Sequence, residues 1–131
     1  MAKIYLVRHA ESIANTQGIY QGITYDTELS EHGQNQAQAL AERFKHITLS
    51  RVIASPLKRT LQTAAIVANS KKLPHQVEEQ IIETNHGVWE GKHKQVIQKT
   101  WPWLYRKWLR FPSSTKFPQG EHCLETQKRV L

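Results

Sequence analysis

Lys3-Ile4-Tyr5-Leu6-Val7-Arg8-His9-Ala10-Glu11-Ser12 is the stretch on which the fold turns. β-Branched and aromatic residues run together up to Val7 and polar residues follow at once, the pattern of a short buried strand over Lys3–Val7. A strand that ends on Arg8-His9 delivers both side chains to its carboxyl end, where open α/β sheets bind ligands. A neutral imidazole there can attack phosphorus, and a guanidinium can hold two phosphate oxygens in a planar fork. Alone, such a pair is more often an ordinary surface feature, so the rest of the chain decides.

From Glu11 to Leu29 the turn residues Asn15, Gly18, Gly22 and Asp26 mark a loop with room for one helical turn. Ser30 then reads as an N-cap, and Ala37, Leu40, Ala41 and Phe44 recur at helical spacing to about His46. Arg51–Ala54 reads as a second strand. Ser55-Pro56 reads as a helix start, serine capping and proline at the first helical position, with Leu57, Leu61, Ala64, Ala65 and Ala68 as the inward stripe. Lys71–His75 turns out of that helix and Gln76-Val77 begins a short third strand. Strand, helix, strand, helix, strand in that order predicts an α/β fold with a mostly parallel sheet and helices on both faces. Glu83–Gly91 is a loop. Lys94–Arg110 is helical, interrupted at Pro102 and ended by Pro112; Ser113–Gly120 is a loop, and Glu121–Leu131 starts another helix.

The 131 residues fit one domain, and the apolar fraction of 39% is enough for a core. No apolar run near the start is long enough for a signal-peptide core or a membrane span. The single cysteine, Cys123, excludes an internal disulfide framework and fits a reducing cytoplasm. The net charge of +7 favours an anionic partner. Between Glu90 and Glu121 no acidic residue occurs, while Lys92, Lys94, Lys99, Arg106, Lys107, Arg110 and Lys116 fall there among Trp101, Trp103, Tyr105 and Trp108. Basic residues interleaved with aromatics can track a nucleic-acid backbone. The stronger reading is a lid helix with its aromatics in the core and its cations in solvent, hence neither a nucleic-acid nor a membrane partner.

Two further clusters carry chemistry. Ser55-Pro56-Leu57-Lys58-Arg59 places Arg59 in the first turn of a helix whose free N–H groups already favour an anion. Glu83-Thr84-Asn85-His86-Gly87-Val88-Trp89-Glu90-Gly91 puts a carboxyl in a loop with an indole, where partial desolvation would favour a protonated general acid. The seven histidines show no paired metal-ligand spacing, so no metal or other cofactor is expected.

In this order and at these spacings the clusters resemble the histidine phosphatase superfamily, the phosphoglycerate mutase-like family, along nearly the whole chain. Leu6-Val7-Arg8-His9 with Glu11 and Asn15 resembles the family's opening. Gln21-Gly22, Asp26, Leu29-Ser30, Gly33 and Gln36-Ala37 resemble its next loop and helix. Ser55-Pro56-Leu57 with Arg59 and Thr63-Ala64 resembles its second motif, Glu83 through Gly91 its acid loop, and Pro118 with Gly120-Glu121 its late loop. The resemblance implies that His9 is the nucleophile that becomes phosphorylated and that Glu83 protonates the leaving oxygen and then activates water. It implies phosphate binding by Arg8, Arg59, Asn15, Gln21 and Gly22. The expected activity is hydrolysis of a small phosphorylated metabolite. Phosphoglycerate mutase-type transfer is the alternative, less favoured because the stretch from Gly91 to Pro118 is short for a mutase insertion. A phosphate-binding protein without turnover is the other alternative.

Ala10 stands where the family usually has glycine, Tyr20 where many members carry arginine, Glu28 for a usual proline and His122 for a usual small hydroxyl residue. The larger departure is that the family's second phosphoryl-binding histidine, from a late strand, has no counterpart. Residues 1–131 therefore read as a single domain lacking its C-terminal part. The expected consequences are an open apolar edge on the Lys3–Val7 strand, a homodimer covering that edge, and turnover below that of complete relatives.

Overall fold

The computed structural model describes residues 3–131. Helix α1 (Ile13–Thr16) follows the opening segment and is closed by a capping box between Ser12 and Asn15. Helix α2 (Glu31–Arg43) starts on the Ser30 cap, whose hydroxyl accepts from the Gly33 N–H, and buries Ala37 and Ala41. Strand β1 (Val52–Ala54) leads to helix α3 (Lys58–Ser70) and strand β2 (His75–Val77). β1 and β2 pair in parallel, with Val52 opposite His75 and Ala54 opposite Val77, so β1–α3–β2 is the crossover unit that the order of elements predicts.

Residues 3–7 do not form the expected strand: their backbone joins no ladder among the described residues. A strand is defined by its partner, and none of the described strands is hydrogen-bonded to this segment. Its apolar side chains stay open, with Ile4 81% and Leu6 95% exposed. Tyr5 is the exception, set edge-on against Phe44 at 5.4 Å. Ile53 and Val77 of the sheet also remain about half exposed, while α3 packs against both strands and against α2.

The start of α3 departs from the sequence expectation. The helix begins at Lys58, with Leu57 at the N-cap position and no cap from its own neighbours. Ser55 is instead hydroxyl-bonded to Thr60 at 2.8 Å. The capping acceptor comes from the distant loop, where Asp26 Oδ2 accepts from the Lys58 N–H at 2.8 Å. The helix's buried residues are Arg59, Thr63, Ala64, Val67 and Ala68, so two polar side chains enter the inward stripe in place of Leu61 and Ala65.

The second half builds a lid. Helix α4 (Lys94–Thr100) and helix α5 (Pro102–Arg110) meet at Trp101, and Pro102 opens α5 as its first residue. Helix α6 (Cys123–Val130) closes the described chain. Trp89, Ile97, Tyr105 and Phe117 form a sealed cluster, with Tyr20, Trp101, Leu104 and Trp108 packed around it. This is the aromatic core expected of the basic window. Arg106, Arg110, Lys94, Lys99 and Lys116 lie exposed around it, and Trp103 points outward with Lys107 over its ring. Among the described residues no helix is long and apolar enough to cross a membrane.

Candidate active site

One cavity of about 410 Å³ is lined by Arg8, His9, Asn15, Ile19, Tyr20, Gln21, Gly22, Arg59, Glu83, His86 and Trp108. All seven residues singled out in the sequence meet there, although they come from five separate stretches of chain.

His9 sits half-buried at the end of the opening segment. Its Nδ1 lies 2.7 Å from the Ala10 carbonyl oxygen. A carbonyl only accepts, so Nδ1 carries the proton and the lone pair is on Nε2. Burial is the largest influence on the ring and lowers its pKa below 6.5; the Ala10 hydrogen bond opposes this, and Arg59 and Arg8 reinforce it. The result is a neutral imidazole with a defined tautomer, which is what a nucleophile requires. The Ala10 N–H in turn donates to Thr63 Oγ1 at 3.1 Å, tying this turn to α3.

Arg59 is the best-buried cation, 1% exposed. Its Nη1 pairs with Asp26 Oδ1 at 3.2 Å and its Nη2 donates to the Gly22 carbonyl at 3.0 Å. Asp26 therefore serves both the helix start and the guanidinium. Burial pulls the Arg59 pKa down and Asp26 chiefly opposes that pull; an arginine remains charged nonetheless. Its Nε is buried with no hydrogen-bond partner among the described residues. Arg8, by contrast, is exposed at the cavity mouth.

Asn15 accepts from the Ser12 N–H and hydroxyl through Oδ1, leaving its amide nitrogen as the donor end. Gln21 Oε1 accepts from Thr27 Oγ1 at 3.1 Å. Gly22 lies at φ +89°, and a Cβ there would fall 2.1 Å from Glu90 Oε1, so both the turn and the close approach require glycine. Glu90 explains that approach. Its carboxylate accepts from the Ile23 and Thr24 N–H groups, the Thr24 hydroxyl and the His86 N–H, stapling the phosphate-side loop to the acid loop.

Glu83 reaches the cavity but is exposed, so the desolvation expected from the loop's indole is not found. Trp89 is sealed inside the lid cluster instead, and the indole at the cavity is that of Trp108. Sequence reading also missed His86. It is 9% exposed, packs between the rings of Phe117, Tyr20 and Trp108, and has an unpartnered Nδ1. Burial lowers its pKa, so the ring is held toward neutrality at the wall of the cavity. Its place three residues after Glu83 is the signal that would have found it.

The cavity thus combines a neutral imidazole with a free Nε2, two guanidinium groups and an exposed carboxyl. That set suits nucleophilic displacement at phosphorus. Among the described residues no cluster of histidine, cysteine and carboxylate groups has the form of a metal site.

The family description Histidine phosphatase superfamily (branch 1) matches residues 4–131. Phosphoserine phosphatase 1 of Hydrogenobacter thermophilus is 40% identical over 99% of this chain and 61% of its own length. "Probable phosphoglycerate mutase GpmB" of Cronobacter sakazakii is 30% identical over 99% of this chain and 60% of its own. The crystal structure of the alpha-ribazole phosphatase from Shigella flexneri superposes with a TM-score of 0.81 at 28% identity, covering 95% of this chain and 61% of that one. The chain spans about three-fifths of the length of the curated relatives it matches.

Proposed function

Because the chain belongs to the histidine phosphatase superfamily, we propose that it hydrolyses a small phosphomonoester through a phosphohistidine at His9. The observation that carries this reading is the His9–Ala10 hydrogen bond, which leaves a Nε2 lone pair in a cavity shared with Arg8, Arg59 and Glu83.

In the first step Nε2 attacks phosphorus as the ester P–O bond breaks, and Glu83 gives its proton to the departing oxygen. In the second, the Glu83 carboxylate takes a proton from water, whose oxygen attacks phosphorus as the P–N bond breaks. Phosphate leaves and the imidazole is restored. Arg8, Arg59 and the amide nitrogen of Asn15 hold the transferring oxygens, with Gln21 and Gly22 shaping that wall. The gain comes from position and from charge already in place.

Hydrolysis is favoured over mutase transfer by the compact lid between Gly91 and Pro118. A small substrate follows from the cavity volume of about 410 Å³. A cytoplasmic setting, supported by the free Cys123, and a second copy over the open apolar residues Ile4 and Leu6 belong to the same reading. Fractionation and sedimentation would test them.

The direct test is incubation with a ³²P-labelled phosphomonoester followed by peptide mapping. An acid-labile, alkali-stable label on the peptide holding His9, absent from His9→Gln, is the expected outcome. Reversible binding of phosphate with no such label would replace the enzyme with a binding protein.

A further inference from the structure

Glu83 is exposed, and its carboxylate is bonded locally, Oε1 accepting from the Thr84 N–H at 2.8 Å. Its aim into the cavity therefore depends on the backbone that carries it. That backbone is gripped from one place.

Arg129 on α6 donates through Nη1 to the carbonyls of Gln80 and Ile82, at 2.7 and 2.6 Å, and through Nη2 to the carbonyl of Glu83 at 2.9 Å. The same guanidinium is fixed by Glu121, with Nε to Oε1 at 3.0 Å and Nη2 to Oε2 at 3.1 Å. Glu121 then holds the other side of the acid, its Oε2 accepting from the Asn85 N–H at 2.7 Å. A hydroxyl contact between Thr84 and Thr126 at 3.0 Å joins the same two segments. Neither Arg129 nor Glu121 lines the cavity.

We infer that the Arg129–Glu121 pair positions Glu83 for proton transfer, binding the chain immediately before and after it while touching neither the substrate nor the reacting atoms. The inference rests on the phosphatase reading above. The chemistry of the pair fits the task. A guanidinium offers five N–H donors in a rigid fork, enough to serve three carbonyls and a carboxylate together, whereas an ammonium has three donors on one point. A displaced general acid is costly, a shift of about 1 Å being worth roughly 100-fold in rate.

Leaving-group dependence separates positioning from mere folding. 4-Nitrophenolate departs without a proton, while the alkoxide of glycerol 3-phosphate needs one. The experiment measures single-turnover labelling of His9 from both esters, in the wild-type chain, Arg129→Lys and Glu121→Gln. The expected result is a loss of about 100-fold for Arg129→Lys with glycerol 3-phosphate, labelling from 4-nitrophenyl phosphate nearly kept, and a smaller loss of the same selectivity for Glu121→Gln. Equal losses on both esters, or no loss on either, would overturn the inference. If Arg129→Lys does not fold, Glu121→Gln decides by the same ratio. A wild-type chain that labels from the aryl ester alone also overturns it, since Glu83 would then have no proton to give. Absence of wild-type labelling from either ester removes the phosphatase reading itself, a different failure.

Discussion

The cavity has two walls, and they are held by opposite physics. The lid wall, carrying Tyr20, His86 and Trp108, stands on apolar burial: Trp89, Ile97 and Phe117 are wholly inaccessible and Tyr105 is nearly so. The phosphoryl wall, carrying Arg8 and His9, continues a segment with no ladder partner among the described residues and with Ile4 and Leu6 in solvent. It is fixed mainly by a few polar contacts, the Ala10 N–H to Thr63 and the Ser30 N–H to the Glu11 carbonyl among them, with only Ala10 entering a small apolar cluster beside Leu29 and Ala37. Burial is non-directional and roughly additive with area, so the lid can absorb a small error. A wall that leans chiefly on single hydrogen bonds, with little apolar area behind them, loses a whole constraint with each one. The chemistry sits on the second kind.

The largest effect expected of this contrast is on stability. Phe117→Ala would empty a site touching the rings of His86, Trp89 and Trp108. A cavity of that kind costs about 3–5 kcal/mol, a large share of a domain's usual roughly 5–15 kcal/mol. Denaturant titration should show the midpoint falling by that much. A change below about 1 kcal/mol, outside the range for such truncations, would mean that the lid cluster is not the stabilising half.

Thr63→Val tests the other wall with a smaller change. It keeps the shape but removes the acceptor of the buried Ala10 N–H, at about 1–3 kcal/mol for an unsatisfied group. Because that N–H follows His9, His9 labelling should slow by more than the stability loss accounts for. Phe117→Ala, where it still folds, should alter substrate affinity more than the labelling step. If the two variants affect labelling alike, the walls are not separable in the way proposed.

What the sequence disclosed follows the same division. The helices α2, α4 and α5 and the break at Pro102 were legible because their signals are local: spacing, a Ser30 cap, a proline at a first turn. Arg8, His9, Arg59 and Glu83 were legible as motifs, each a short run with its own chemistry. Their supports were not. Asp26 caps a helix 32 residues away, and Glu90 ties down a loop 67 residues away, so no window of the chain contains both partners. The Lys3–Val7 strand failed for the same reason in reverse, since its residue pattern is that of a strand but pairing is a property of two segments. His86 had one local signal, its place three residues after Glu83, but the rings of Tyr20, Trp108 and Phe117 that bury it come from distant parts of the chain.

The smallest expected effect is spread along the pH scale and draws on both walls. His9 on the phosphoryl wall and His86 on the lid wall each have a pKa below the ordinary 6.5, in both cases chiefly through burial. As pH falls through 6.5 the unfolded chain takes up protons at these rings before the folded chain does, so the unfolded state gains and stability declines. The decline continues until the lower folded values are passed. Two carboxylates then act further down. Glu121 is held below 4.5, chiefly by the Arg129 hydrogen bond. Glu90 is also held below 4.5: burial, its largest single influence, opposes this and is outweighed by the Thr24, Ile23 and His86 donors. Both stabilise the fold above 4.5 and lose that contribution as pH drops past it. The melting temperature should thus fall in two stages on acidification. His9→Gln should flatten part of the first stage and Glu121→Gln part of the second. If the melting temperature stays level while pH falls from 7 through the first window in wild type, neither ring is held neutral by folding, and a nucleophile prepared by its wall loses its support.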